Sequence, residues 1–101
     1  MMSEEQALTL IRQYVKDSQN EERREDPAAV TQLLKEPDAA LTTLKKHFGA
    51  FTGHDRFWLY ALLGYLLPDP QARSQFYAER LPLEDDPVCR QLVLRTQKLK
   101  R

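Results

Sequence analysis

The longest uninterrupted apolar segment of the chain covers residues 57–67, with the sequence FWLYALLGYLL. It contains no charged or amide side chain, although 30% of all residues in the chain are charged. The segment is shorter than a membrane-spanning helix, which needs about 20 apolar residues. We therefore predict a buried central helix at about residues 53–67 and no membrane partner.

Other segments repeat apolar residues at the three- and four-residue spacing of amphipathic helices. Ser3 and Gln6 match a capping box for a helix over residues 4–18. Pro37 opens another helix, and Gly49 is predicted to end it in a left-handed conformation. Asp55 is placed in the first turn of the central helix. An acidic residue followed by proline, which is typical of a helix start, occurs at Asp26-Pro27, Asp69-Pro70 and Asp86-Pro87.

These patterns predict an all-α fold: one compact domain over residues 1–101, built as a bundle of five to six short helices around the central one. Residues 19–25 contain no apolar side chain and form either a solvated helix extension or a mobile connector; we favour the connector. Residues 100–101 are expected to fray. Because glycine costs about 1 kcal/mol relative to alanine inside a helix, the edge of Ala61 and Gly64 is predicted to be the closest helix–helix contact.

Aromatic residues on the central helix suggest a contact surface. Trp58, Leu62 and Tyr65 share one side of the helical wheel, with Tyr60 on the opposite flank. Tyrosine and tryptophan suit protein interfaces because the ring is buried while the polar tip stays wet. One interpretation places these four residues in the core; the other makes them part of a groove that binds a protein partner or a second copy.

The last predicted helix carries several basic residues and no acid after Asp86. Such residues complement the dipole at a helix C-terminus, and a charged face is usually only solvated. The alternative interpretation is a basic face that contacts phosphate, nucleic acid or an acidic protein. Its members are Arg90, Leu94, Lys98 and Arg101.

Little in the sequence favours catalysis. His54-Asp55 is similar to the paired metal ligands of HD-type phosphohydrolases, but its position at a helix start favours a capping role. Cys89 follows Pro87 by two residues, yet it belongs to an apolar arc and is expected to be a buried, inert thiol. We find no phosphate-binding loop and no Cys/His cluster. We therefore expect no enzyme activity, no cofactor and no metal site.

Charge and cysteine content narrow the functional class. Fifteen basic residues balance fifteen acidic ones, so no overall field attracts nucleic acid or an anionic membrane. A single cysteine and the absence of signal-peptide features predict a cytoplasmic location. The leading hypothesis is a small protein-interaction module, such as an adaptor, a chaperone or an inhibitor or immunity partner, of bacterial type. The alternative is a nucleic-acid-associated regulator that uses the last helix.

Overall fold

The computed structural model describes residues 2–19 and 28–98, with side chains up to Arg95, and every regular element in these ranges is helical. The predicted all-α fold is confirmed. Three predicted features lie outside the described ranges: residues 20–25 of the connector, the helix start at Asp26-Pro27 and the fraying end at residues 100–101. Short 3-10 turns at Phe48–Ala50 and Leu81–Leu83 follow α3 and α5. The helices are α1 (Glu4–Ser18), α2 (Ala28–Leu34), α3 (Pro37–His47), α4 (Gly53–Leu66), α5 (Pro70–Arg80) and α6 (Pro87–Lys98).

Side chains cap four of the helices, and the caps at Ser3, Asp69 and Asp86 are at the positions that the sequence indicated. Ser3 Oγ accepts a hydrogen bond from the Gln6 N–H at 3.1 Å, and Gln6 Oε1 accepts one from the Ser3 N–H at 2.9 Å. This reciprocal pair satisfies two backbone donors that a helix start otherwise leaves free. The side chains of Thr52, Asp69 and Asp86 each accept a hydrogen bond from a backbone N–H in the first turn of α4, α5 and α6, respectively.

The predicted left-handed glycine after α3 is wrong. Gly49 has no positive φ, because the chain tightens into a 3-10 turn instead of reversing its handedness. Phe48 opens this turn and is 1% exposed. Its ring lies 4.8 Å from the ring of Tyr60 and 5.5 Å from that of Phe76, in edge-to-face geometry. The turn therefore keeps Phe48 in the core while redirecting the chain toward α4.

α4 is the central helix, as predicted, and it packs against α1, α2, α3 and α6. Its core side is leucine-rich: Leu59, Leu62 and Leu63 have no exposed surface, and Leu66 is 4% exposed. Burial of one leucine side chain contributes about 1.5–3 kcal/mol relative to leaving it in water. This side of α4 therefore fixes the helix rigidly within the bundle.

Candidate functional site

One side of α4 is left uncovered by the other described helices. Ala61 and Gly64 are exposed, Tyr65 is 40% exposed, and Phe57 and Trp58 are half-buried. These five residues, named the apolar face below, recur at three- and four-residue steps and therefore share one side of the helix. The solvent side of a surface helix is normally polar, and an uncovered apolar surface typically marks a contact site.

A groove borders the apolar face at its N-terminal end. It has a volume of about 310 Å³, and its lining includes Phe57 and Trp58 of α4 and Val88 of α6. The rings of Phe57 and Trp58 meet edge to face at 5.2 Å, which fixes one wall. Val88 is 60% exposed, so the opposite wall is apolar and open to solvent. The groove thus extends the uncovered apolar surface from α4 onto α6.

Two of the predicted contact residues lie in the core instead. Leu62 is 0% exposed and Tyr60 is 1% exposed, so neither side chain offers surface to a partner. The helical wheel placed Leu62 between Trp58 and Tyr65, but the core arc of α4 is wide enough to include it. Trp58 and Tyr65 therefore lie on the apolar face, whereas Tyr60 and Leu62 do not.

The predicted close helix contact at Ala61 and Gly64 is also wrong. A Cβ atom added to Gly64 would meet nothing within 4 Å, and both residues are exposed. The close approach occurs at Gly53, where an added Cβ would lie 2.5 Å from Asp86 Oδ1 and 2.6 Å from Asp86 Cβ. Only glycine allows the start of α4 to pack this closely against the residue that caps α6.

A buried ion pair joins α4 to the turn that precedes α6. Arg56 Nη2 donates to Glu84 Oε2 at 2.8 Å, and Arg56 Nε contacts both Glu84 oxygens at 3.1 Å. Arg56 also donates from Nη2 to Asp85 Oδ1 at 2.6 Å and from Nη1 to the Phe51 carbonyl at 2.7 Å. The Glu84 side chain has 0% exposure, and that of Arg56 has 9%. Removing either partner would leave a buried charge without compensation.

Three further groups surround Glu84: two hydrogen-bond donors, and Arg80, whose Nη2 lies 3.6 Å from Glu84 Oε1. The Tyr60 hydroxyl donates to Glu84 Oε1 at 2.7 Å, and the Asp86 N–H donates to Oε2 at 3.0 Å. Burial by itself raises the pKa of Glu84, but the donated hydrogen bonds outweigh it and lower the pKa to about 2. Burial likewise raises the pKa of Tyr60, which keeps its hydroxyl protonated as a donor. Through these bonds the network joins α4 to the turn before α6.

Sequence reasoning missed this network because its members are far apart in the chain. Arg56 and Glu84 are separated by 28 residues. One signal was available: Arg56 is the only Lys or Arg in the sequence of α4, next to a segment with no charge. A single cation at the start of an apolar helix requires an anionic partner when it is buried.

The side chain that caps α4 belongs to Thr52 and not to His54 or Asp55, and Cys89 is buried as expected. Cys89 is fully buried, and its Sγ donates to the Gly53 carbonyl at 3.2 Å. Burial raises the pKa of this thiol to about 12. Asp55 Oδ1 accepts a hydrogen bond from Gln19 Nε2 at 2.7 Å, and His54 is an exposed residue at the rim of the groove. Within the described part of the chain, no three His, Cys, Asp or Glu residues converge as a metal-binding group.

The predicted basic face of α6 is described only in part. Arg90 Nη1 donates to the carbonyl of Leu81 at 2.9 Å and to that of Glu84 at 3.0 Å. These bonds tie α6 to the preceding turn, so the Arg90 guanidinium already has protein partners. The remaining predicted members are Leu94, which is 37% exposed, and two residues outside the described side chains, Lys98 and Arg101.

Comparisons of the chain with models of protein families, with curated proteins and with solved structures found no match. In residues 2–19 and 28–98, no helix combines the length and apolar character needed to cross a membrane.

Proposed function

We propose that this chain is a cytoplasmic protein-interaction module, of the adaptor, chaperone or inhibitor class, that binds another protein through the apolar face of α4. The observation that supports it is the uncovered side of the central helix, where Phe57, Trp58 and Tyr65 keep exposed surface without an intervening charge. Aromatic residues are enriched at interface centres because they bury a large area at a low cost in side-chain entropy.

The groove beside the apolar face can accommodate one side chain of the partner. Its volume of about 310 Å³ falls at the lower end of the range that is typical of ligand pockets. A side chain from a partner that enters it contacts Phe57, Trp58 and Val88 together. Buried aromatic anchors of this kind typically account for 2 kcal/mol or more of binding free energy.

The pairing of Arg56 and Glu84 supports a rigid surface. It links α4 to the turn before α6, and Cys89 and Gly53 form a second link nearby. Rigid positioning of both groove walls lowers the entropic cost of binding, since fewer groups must be ordered when the partner arrives.

The nucleic-acid regulator remains the alternative proposal. Among described side chains, its central residue Arg90 donates to two backbone carbonyls. A phosphate contact by Arg90 would have to compete with these bonds. Binding of this kind would weaken steeply with salt, whereas binding to an apolar groove would change little.

The test is a comparative capture experiment with two matched variants. Ala61→Arg places a charge in the middle of the apolar face, and Ala78→Arg places the same charge on an exposed alanine of α5. Each protein is immobilised and incubated with lysate of the source organism, both before and after nuclease treatment, and retained proteins are identified by mass spectrometry. We expect at least one protein to be retained by the wild type and by Ala78→Arg but lost with Ala61→Arg.

Two outcomes would contradict the proposal. In the first, the proteins retained by the wild type and by Ala61→Arg are the same. In the second, retention depends on nucleic acid, disappears after nuclease treatment and falls with salt, which would favour the alternative. Circular dichroism of both variants controls for folding.

A further inference from the structure

A cleft runs along α1 on the side that faces the connection between α3 and α4. Its volume is about 330 Å³, which falls at the lower end of the range typical of small-molecule sites. Leu8, Arg12, Lys16 and Gln19 line it from α1 at three- and four-residue steps, so they share one side of that helix. This α1 cleft has no lining residue in common with the groove beside the apolar face.

Two cations line the α1 cleft from one helix. Arg12 and Lys16 are the only basic residues in the sequence of α1, and both are exposed. The ion pairs formed among the described side chains include neither of them. Like charges four residues apart destabilise a helix, so the pair carries a cost that a bound anion would offset.

A hydrogen bond closes one end of the α1 cleft and gives the cleft a direction. Gln19 Nε2 donates to Asp55 Oδ1 at 2.7 Å, which joins α1 to the first turn of α4. Arg12 precedes Gln19 by seven residues, or about 10 Å along the helix axis. The acidic side chain thus lies at one end of the cleft, and an anion binds away from it, toward Arg12 and Lys16.

We infer that the α1 cleft binds a small phosphate monoester with an apolar body, whose phosphate group contacts Arg12 and Lys16. A phosphate monoester carries nearly two negative charges at neutral pH, which match the two cations, whereas a carboxylate carries one. The guanidinium fork of arginine pairs with two phosphate oxygens at once, and lysine adds a point charge. The apolar body packs against Leu8, Val15 and Phe51, which also line the cleft.

A nuclear magnetic resonance titration of the ¹⁵N-labelled full chain with phenyl phosphate tests the inference, at neutral pH and constant ionic strength. Three comparison ligands separate the contributions: phenol has the body without the charge, inorganic phosphate has the charge without the body, and benzoate has a single charge. We expect phenyl phosphate to bind with a dissociation constant on the order of 0.1–1 mM, and each comparison ligand to bind about tenfold more weakly or worse. The largest amide shifts should fall on the residues that line the cleft.

Four variants identify the site. Arg12→Gln and Lys16→Gln should each weaken the binding of phenyl phosphate about tenfold or more, because each removes a charge-assisted contact. Lys35→Gln is the matched control, since Lys35 is exposed and does not line the cleft, and it should leave the affinity unchanged. Asp55→Asn should strengthen binding severalfold, because it removes a negative charge from the lining. A gain of affinity cannot result from misfolding, and circular dichroism checks the fold of the other variants.

Three results would overturn the inference. The first is the absence of saturable amide shifts with phenyl phosphate up to about 10 mM. The second is an equal loss of affinity in Arg12→Gln and Lys35→Gln, which would indicate a general charge effect and no site. The third is equal affinity for phenol, inorganic phosphate or benzoate, which would indicate a different ligand chemistry. The inference is independent of the proposed function, so Ala61→Arg should bind phenyl phosphate like the wild type.

Discussion

Replacing Glu84 by glutamine should remove about 3 kcal/mol of the stability that the wild type loses as the pH falls from 5 to 2, and leave only the loss due to other carboxylates. In the folded protein the pKa of Glu84 is about 2, compared with 4.5 for an unperturbed glutamate. Each pH unit of such a difference corresponds to about 1.4 kcal/mol, so the ionised Glu84 contributes about 3 kcal/mol to folding at neutral pH. This is a large fraction of the 5–15 kcal/mol that is typical of a domain.

The direction of the pH dependence follows from the lowered pKa. Above the unfolded-state value of 4.5, Glu84 is ionised in both states and its full contribution is present. As the pH falls from 4.5 toward 2, the unfolded state gains a proton that the folded state resists, and the contribution is lost. The wild type should therefore lose about 3 kcal/mol over this interval, beyond the loss shared with other carboxylates.

Urea unfolding, followed by circular dichroism at several pH values between 7 and 2, measures the effect. Glu84→Gln should be about 3 kcal/mol less stable than the wild type at pH 7, and the difference should shrink toward zero near pH 2. Asp85→Asn is the matched control, since its 88% exposed carboxylate also pairs with Arg56 but should contribute less than about 1 kcal/mol. A constant difference between wild type and Glu84→Gln at all pH values would refute the reasoning.

The remaining predictions concern the two glycines of α4 and the thiol that packs near one of them. Gly53→Ala should destabilise the fold by about 1–3 kcal/mol, because the new methyl group overlaps Asp86, whereas Gly64→Ala should stabilise it by up to about 1 kcal/mol. In thermal denaturation the melting temperature should therefore fall for Gly53→Ala and rise for Gly64→Ala. Equal shifts of the melting temperature in the two variants would contradict this prediction. Cys89 should resist alkylation by iodoacetamide at pH 8 in the native protein and react readily in urea, since burial raises its pKa to about 12; similar rates in both states would show that the thiol is accessible.

Local signals in the sequence were sufficient to predict the helices. The capping box of Ser3 and Gln6 and the acid caps at Asp69 and Asp86 are formed by residues within three positions of each other, so they do not depend on tertiary structure. The conformation of Gly49 could not be predicted from local signals. Whether the chain reverses into a left-handed cap or tightens into a 3-10 turn depends on Phe48, which is held by rings from two later helices.

The orientation of α4 could not be predicted because the helix is apolar on every side. In a helix with one polar face, the apolar face opposite it can be identified from the sequence as the buried side. Residues 57–67 have no polar face, so the sequence does not show which side is buried. Leu62 and Gly64 were therefore assigned to the wrong environments: Leu62 is in the core and Gly64 is exposed. The side that faces the core depends on long-range contacts, among them the packing of the buried leucines and the pairing of Arg56 with Glu84.

That pairing links core stability to the shape of the candidate surface. Arg56 is on the core side of α4, one position before Phe57, which begins the exposed side. Its partner Glu84 is two residues before Asp86, which caps α6 and lies against Gly53. Because these contacts fix the rotation of α4 and the start of α6 together, they also set the width of the groove between Phe57 and Val88. The buried ion pair and the leucine-rich core side of α4 therefore act together to favour one orientation for a helix whose composition would permit several.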